Sequence, residues 1–285
     1  MKRMNIQDYE PDFSFRQCVS AINEVSDRDR MLSEIEFFKT AALAYLEHAK
    51  AGSACTIPPL RTARGEDPIV VADIKKSELV KLYEYYMVKR EPGRSLYNAI
   101  LVSAHDVCPL CGLATDVKTL DHYLPKANYP QLSVLPYNLV PACRDCNTDK
   151  GNPIITDPAQ QHIHPYYDQA CFHEDTWIKA EVTHETPCAI QYKVCPPDEW
   201  LEVNKERASN HFDFFNIARR YRVRAAEDLG TLVDQRRGHM KNLAPEVFRE
   251  QLRSVAQSQS LPANHWRKVM YKALVDDEWF CSAEL

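Results

Sequence analysis

Four cysteines and a few polar residues close to them in the chain carry most of the chemistry that this sequence offers. The cysteines form two CxxC pairs, which suit the tetrahedral thiolate cage of a structural zinc. An aspartate, a histidine and two asparagines lie between or directly after the pairs, and these residue types serve metal-assisted phosphodiester hydrolysis. The residues are Cys108, Cys111, Cys143, Cys146, Asp121, His122, Asn138 and Asn147.

The two CxxC pairs predict zinc rather than a disulfide framework or a redox dithiol. The chain is long and shows no secretion signal, and no thioredoxin-like βαβ pattern surrounds either pair. Gly112, directly after Cys111, permits the tight turn of a zinc knuckle. Four thiolates leave no open coordination position for water, so we expect the zinc to be structural. The remaining cysteines are interpreted as small buried hydrophobic residues.

Each polar residue of this set has a chemical role and a plainer one. His122 can act as a base because imidazole titrates near neutrality, and Asp121 is a hard oxygen ligand for Mg²⁺ or Mn²⁺. Asn147 can supply a second ligand from the first turn of a predicted helix, and Asn138 can hold a loop or orient the histidine ring. Taken singly, a DH pair is common, Asn138 is a turn residue and Asn147 is a helix-start residue. Their joint pattern, at these offsets from the cysteines, favours the catalytic interpretation.

The segments Leu120-Asp121-His122, Asn138-Leu139 and Cys143-x-x-Cys146-Asn147-x-x-Lys150 together resemble the HNH endonuclease motif, in its HNN variant. The resemblance covers residues 108–152 and implies a ββα-metal fold with one catalytic divalent cation and an accessory zinc. It implies His122 as the general base and Asp121 and Asn147 as the metal ligands. Asn138 matches the structural asparagine in the middle of the motif.

The third position of the motif departs from the commonest pattern of the family. Many members carry histidine where this chain has Asn147. Because asparagine also serves as a ligand there in other members, the change alone does not predict inactivity. We expect it to favour Mg²⁺ over softer metals, which prefer imidazole.

The sequence from Asp121 to Lys126, together with the segment 164–168, resembles that of a narrower and often bacterial group of HNH proteins. Some members of that group act in anti-phage defence beside an ATPase, as in the two-gene Septu system. The resemblance therefore implies a defence role and an ATPase partner as expectations.

Several further residues are candidates for holding nucleic acid. Lys126 and Lys150 flank the proposed site, where they either contact phosphates or are ordinary solvated lysines. His164 either adds a phosphate contact or packs the HNH module onto the rest of the chain, and packing is the favoured role. A basic cluster later in the chain is either a phosphate-binding surface, a solvated helix or a docking face for a partner. Its arginines are Arg219, Arg220, Arg222 and Arg224.

The composition is that of a globular protein, with 45% hydrophobic and 26% charged residues among 285. A net charge of −5 is wrong for a protein that coats DNA nonspecifically, but a local basic patch can still bind nucleic acid. No apolar run is long enough to span a bilayer, and the N-terminal residues lack an apolar signal-peptide core. We therefore expect a cytoplasmic protein without a membrane partner.

We expect an α+β fold that is mostly α-helical around a central zinc-stabilised, treble-clef-like ββα-metal module. The predicted parts are an N-terminal helical region over 1–105, the HNH module over 106–168, and a hairpin with further helices over 169–285. Apolar periodicity predicts single helices over 27–50 and 75–89.

Later in the chain, alternating apolar residues predict a hairpin within 177–195. A helical pattern follows over 198–240, and shorter helices are predicted near 245–258 and 263–276.

The sequence therefore predicts an endonuclease that cuts DNA, or RNA such as tRNA, with Mg²⁺ or Mn²⁺. The family resemblance implies products with 5′-phosphate and 3′-hydroxyl ends. The alternative is a zinc-stabilised module that binds nucleic acid or a partner protein without catalysis.

Overall fold

The computed structural model of the chain describes residues 3–63 and 65–282, and it has an α+β fold in which helices dominate. The described α-helices are α1 Phe13–Ser20, α2 Val25–Ser33, α3 Ile35–Lys50, α4 Lys76–Lys81, α5 Gly93–Val102, α6 Arg144–Lys150, α7 Cys171–Glu174, α8 Glu202–Phe214, α9 Ile217–Arg237, α10 Pro245–Ala256, α11 Trp266–Asp276 and α12 Glu278–Ser282. The described strands are β1 Ile69–Val71, β2 Ile74–Lys75, β3 Val117–His122, β4 Leu139–Cys143, β5 Ile178–Val182 and β6 Ile190–Val194.

The strands of the described residues form three separate antiparallel pairs, β1 with β2, β3 with β4, and β5 with β6. The β5–β6 pair confirms the hairpin predicted within residues 177–195. In the β3–β4 pair, Asp121 lies opposite Val140 and His122 opposite Leu139. This register places the two polar residues at the end of a short sheet whose other strand leads directly into α6.

The chain divides into two compact units, of which the first comprises residues 3–110 and 114–168. Its core is one hydrophobic cluster that joins the N-terminal helices to the β3–β4 pair. Phe15 of α1, Phe38 of α3 and Leu79 of α4 belong to it, as do Leu120 of β3 and Leu139 of β4. Fully burying one such side chain contributes about 1.5–3 kcal/mol relative to leaving it exposed. The helices therefore form the support on which the two strands rest.

The helix predicted over residues 27–50 is wrong in one respect, because the structure divides it into α2 and α3 at Glu34. Glu34 leaves the helical conformation, with φ −96° and ψ 15°. Met31 before the break and Phe38 after it are both buried in the core. The apolar spacing continues across the break, so periodicity alone cannot detect a turn that is one residue long.

The helix predicted over residues 75–89 also differs from the structure, since α4 continues as a π-helix over Leu82–Met87. Gly93, the first residue of α5, packs directly against this π-helix. A Cβ at position 93 would lie 2.5 Å from the carbonyl oxygen of Tyr86 and 2.8 Å from Cα of Met87. The close approach therefore requires glycine.

The second unit is built mainly from residues 169–285, of which the structure describes 169–282. Its β5–β6 hairpin packs against α9 and α11, and α10 packs against α11. The helical pattern over 198–240 is again two helices, since Asn216 takes a left-handed conformation with φ +49° between α8 and α9. Asparagine tolerates this conformation better than most residues. No helix among the described residues is both long and apolar enough to cross a membrane.

Candidate metal centre and active site

The four cysteines predicted to bind metal lie together and are buried. Their Sγ atoms all lie within 4.8 Å of one another, which confirms the predicted clustering and makes the group suitable for a metal ion such as zinc. Cys143 ends β4, Cys146 lies on α6, and the backbone N–H of Cys143 donates to Sγ of Cys108 at 3.4 Å. Gly112 has φ +73°, the left-handed turn expected directly after Cys111.

The strands β3 and β4 and the helix α6 follow one another as a strand–strand–helix unit, and α6 contacts both strands. The helix has only seven residues, which is shorter than a helix that is stable by itself. Cys146 lies in the first turn of α6, and Cys143 is the residue directly before the helix. The cysteine cluster therefore lies at the start of α6, directly before Asn147.

His122 is buried and held in one tautomer. Its Nε2 lies 2.7 Å from the carbonyl oxygen of Ser133. Because a carbonyl oxygen can only accept, Nε2 carries the hydrogen, and Nδ1 of the neutral ring keeps its lone pair. Burial lowers the pKa of His122 to about 3, so the ring is neutral at physiological pH. The arrangement gives a fixed imidazole with one nitrogen that can accept a proton.

Asp121 is also buried, and its partner is the last residue of α6. Oδ2 of Asp121 lies 3.1 Å from Nζ of Lys150, and the same ammonium donates to the carbonyl oxygen of His122 at 2.5 Å. Burial raises the pKa of Asp121, and the charge of Lys150 opposes that rise. Lys150 was considered a phosphate contact or a solvated lysine, but the structure leaves it only 4% exposed.

Asn147 lies on α6 three residues before Lys150, so the two residues share one side of the helix. Its side chain is half-buried. Among the described contacts there is none between the side chains of Asn147 and Asp121. Carboxylate and amide oxygens are the ligands that Mg²⁺ prefers, and the Asp121 carboxylate already faces a cationic group. Asp121 and Asn147 therefore offer oxygen donors of the type that such a cation takes.

Asn138 is fully buried and holds the loop between β3 and β4. Its Oδ1 accepts from the backbone N–H of Leu124 at 2.8 Å. Its Nδ2 donates to the carbonyl oxygens of Leu124 at 3.0 Å and Leu132 at 3.3 Å. These contacts agree with a structural role for this asparagine.

Replacing Asn138 with alanine is expected to lower the free energy of unfolding by about 2–4 kcal/mol, because it leaves buried backbone groups without partners. Urea denaturation of the variant and the wild type measures this difference. Asn98→Ala, at an exposed position on α5, is the matched control and should change stability by less than about 0.5 kcal/mol. An Asn138→Ala variant as stable as this control would contradict the structural role.

Two other predicted contacts of nucleic acid have partners inside the first unit. Lys126 is half-buried, with Nζ 3.7 Å from Glu84 and 5.5 Å from the ring centre of Tyr83. His164 is buried, and its Nε2 lies 3.0 Å from the hydroxyl of Tyr45 on α3. The contact of His164 with a helix of the N-terminal region is the packing role that the sequence favoured.

The predicted arginine cluster lies on α9 in the second unit. Arg220 donates from Nε to the carbonyl oxygen of Phe215 at 2.7 Å and so caps the end of α8. Arg219, Arg222 and Arg224 are exposed, and no ion pair of theirs occurs among the described residues. Arg220 therefore has a structural role, whereas the other three arginines of the cluster are exposed to solvent.

Sequence reasoning did not identify the residues that hold His122 in place. Tyr83, on the π-helix, packs its ring edge-on against the imidazole with 4.3 Å between ring centres. Its hydroxyl donates to the carbonyl oxygen of Leu120 at 2.9 Å. Ser133 accepts from His122 and donates its own hydroxyl to the carbonyl of Leu79 at 2.8 Å. No local pattern marks these residues, because their roles depend on contacts between distant parts of the chain.

Comparison with known proteins gives one informative relative. The chain is 38% identical over 226 residues to protein Ea31 of Escherichia phage lambda, and the match covers 74% of this chain and 76% of that protein. No protein-family profile matches the chain, and no solved structure resembles it.

Proposed function

We propose that this chain, which belongs to the family of the phage lambda protein Ea31, is a metal-dependent HNH endonuclease that hydrolyses phosphodiester bonds of nucleic acid, with DNA as the expected substrate. The name of the relative states no activity, so the proposal rests on the site itself. It joins the sequence motif around Asp121 and His122 to the strand–strand–helix unit that carries them.

The observation that carries the proposal is the fixed tautomer of His122. Its Nε2–H is engaged by the carbonyl oxygen of Ser133, so Nδ1 is the nitrogen that would take a proton from the attacking water. The ring of Tyr83 keeps the imidazole from turning. Burial keeps the ring neutral, and a neutral ring is the form that can act as a base.

Asp121 and Asn147 would hold the catalytic cation, for which Mg²⁺ or Mn²⁺ fits their oxygen donors. When bound, the cation would supply positive charge against the oxygen that leaves the phosphorus. Lys150 adds a further positive charge next to Asp121. Asn138 contributes by fixing the loop that contains the carbonyl partner of His122.

Zinc is the metal proposed for Cys108, Cys111, Cys143 and Cys146. With four thiolates and no open position, it would stabilise the fold and take no part in the reaction. Its contribution is to anchor the start of α6, and thereby Asn147 and Lys150.

The proposal is tested by incubating the zinc-loaded protein with supercoiled plasmid, single-stranded DNA and total tRNA. Each substrate is given Mg²⁺, Mn²⁺ or EDTA, and the zinc content is measured in every reaction. We expect plasmid cleavage in Mg²⁺ or Mn²⁺, with 5′-phosphate and 3′-hydroxyl ends, and no cleavage in EDTA with zinc still bound. Cleavage of tRNA alone would assign the enzyme to RNA.

Failure to cleave any substrate in either metal would contradict the proposal. Binding of nucleic acid without cleavage would instead favour a zinc-stabilised binding module, in which the exposed arginines Arg219, Arg222 and Arg224 would contact phosphates. An ATPase partner, a role in anti-phage defence and a cytoplasmic location stay predictions from the sequence.

A further inference from the structure

Lys150 places an ammonium group at the carboxylate that is proposed to bind the catalytic cation. Nζ lies 3.1 Å from Oδ2 of Asp121, and both side chains are buried, with exposures of 4% for Lys150 and 6% for Asp121. A lysine is almost never buried so completely unless it is paired. The contact is therefore a built part of the site rather than a chance meeting of surface charges.

The position of Lys150 follows from the geometry of α6. Lys150 is the last residue of this helix, four residues after Cys146 and three after Asn147, so all three lie on one side. A long helical side chain points back toward the start of its helix. The ammonium therefore lies on the side of α6 that also presents Asn147, and its second bond, to the carbonyl of His122, holds it there.

We propose that Lys150 is a resident counter-ion that competes with the divalent cation for Asp121 and thereby limits the affinity of the site for metal. The inference rests on the proposed function, because Asp121 is taken as a metal ligand there. Two cations a few ångströms apart in a buried site repel each other strongly. A divalent ion at Asp121 must either displace the ammonium of Lys150 from Oδ2 or bind while that positive charge repels it.

Lys150 is therefore a positioning residue. Its ammonium already lies against Oδ2 of Asp121 before any divalent ion arrives, and it makes metal binding weaker than the bare carboxylate would allow.

The test measures Mn²⁺ binding by calorimetry to zinc-loaded protein in the wild type and in Lys150→Met, which keeps the length of the side chain and removes its charge. We expect Mn²⁺ to bind the variant at least about tenfold more tightly. Lys118→Met is the matched control, because Lys118 is exposed on the same strand as Asp121 and pairs with Asp116. Its affinity for Mn²⁺ should stay within about threefold of the wild type, since exposed charges are screened by water.

A second variant protects the test from a failure to fold. Lys150→Gln keeps a donor for the carbonyl of His122 and also removes the charge, and Mn²⁺ should raise its melting temperature more than that of the wild type. Unchanged or weaker Mn²⁺ affinity in a folded Lys150 variant would overturn the inference, as would the absence of Mn²⁺ binding from every protein. Tighter Mn²⁺ binding without nucleic-acid cleavage would leave the inference standing and reject the nuclease proposal. Cleavage by the wild type, with unchanged Mn²⁺ affinity in the Lys150 variants, would support the nuclease proposal and overturn the inference about Lys150.

Discussion

Replacing His122 with alanine is expected to lower the rate of nucleic-acid cleavage by about 100- to 10,000-fold, the usual contribution of a general base. The reason is that Nδ1 of His122 is the nitrogen left to accept a proton once Nε2–H is bonded to Ser133. Zinc content and Mn²⁺ binding should remain, because the imidazole belongs to neither set of proposed ligands. Initial rates of plasmid nicking at saturating Mg²⁺ measure the effect.

A second substitution at this position separates chemistry from packing. The amide of His122→Gln can donate to the carbonyl of Ser133 but cannot serve as a base near neutrality. It should therefore lose as much activity as the alanine variant while retaining more stability. Either variant nicking plasmid within about threefold of the wild-type rate would exclude His122 as the general base.

Replacing Cys146 with serine is expected to release the bound zinc and to lower the free energy of unfolding by several kcal/mol, out of the roughly 5–15 kcal/mol of a typical domain. A structural zinc contributes on the order of 10 kcal/mol to the folding of a small metal-dependent module. The effect should be large here because α6 has only seven residues and begins inside the cysteine cluster. Zinc content by mass spectrometry and chemical denaturation measure the two outcomes.

The control for this experiment is Cys188→Ser. Cys188 is half-buried on the β5–β6 hairpin loop and lies outside the cluster of four sulfur atoms. This variant should keep its zinc. Its free energy of unfolding should lie within about 0.5 kcal/mol of the wild-type value, because only one partly buried sulfur is lost. A Cys146→Ser protein with full zinc content and wild-type stability would show that the cluster is not a metal site.

The clustering of the four cysteines could be predicted from the sequence because CxxC spacing fixes two ligands on one turn. The partners of His122 could not be predicted in the same way. Tyr83 is 37 residues from Leu120, to which it bonds, and Lys150 is 28 residues from the carbonyl that it contacts. Such contacts depend on how the first unit folds as a whole, and no periodicity records them.

Lys150 illustrates a second limit of sequence reasoning. A lysine near a proposed phosphate site is most often solvated, and its type alone gives no sign of burial. The structure buries it because Asp121 supplies the compensating charge. The breaks at Glu34 and Asn216 are a third limit, since each occupies a residue or two while the apolar spacing continues on both sides.

Gly93 brings α5 into direct contact with the backbone of the π-helix. No side chain fits between position 93 and the backbone of Tyr86 and Met87, so a larger residue there would force the two segments apart. The π-helix carries Tyr83, which rests on the imidazole, and α5 carries Tyr97, whose hydroxyl accepts from the backbone N–H of Leu120 at 3.3 Å. The strand that ends in the proposed base is therefore contacted by both helices. The absence of a side chain at position 93 sets how closely these two helices approach each other.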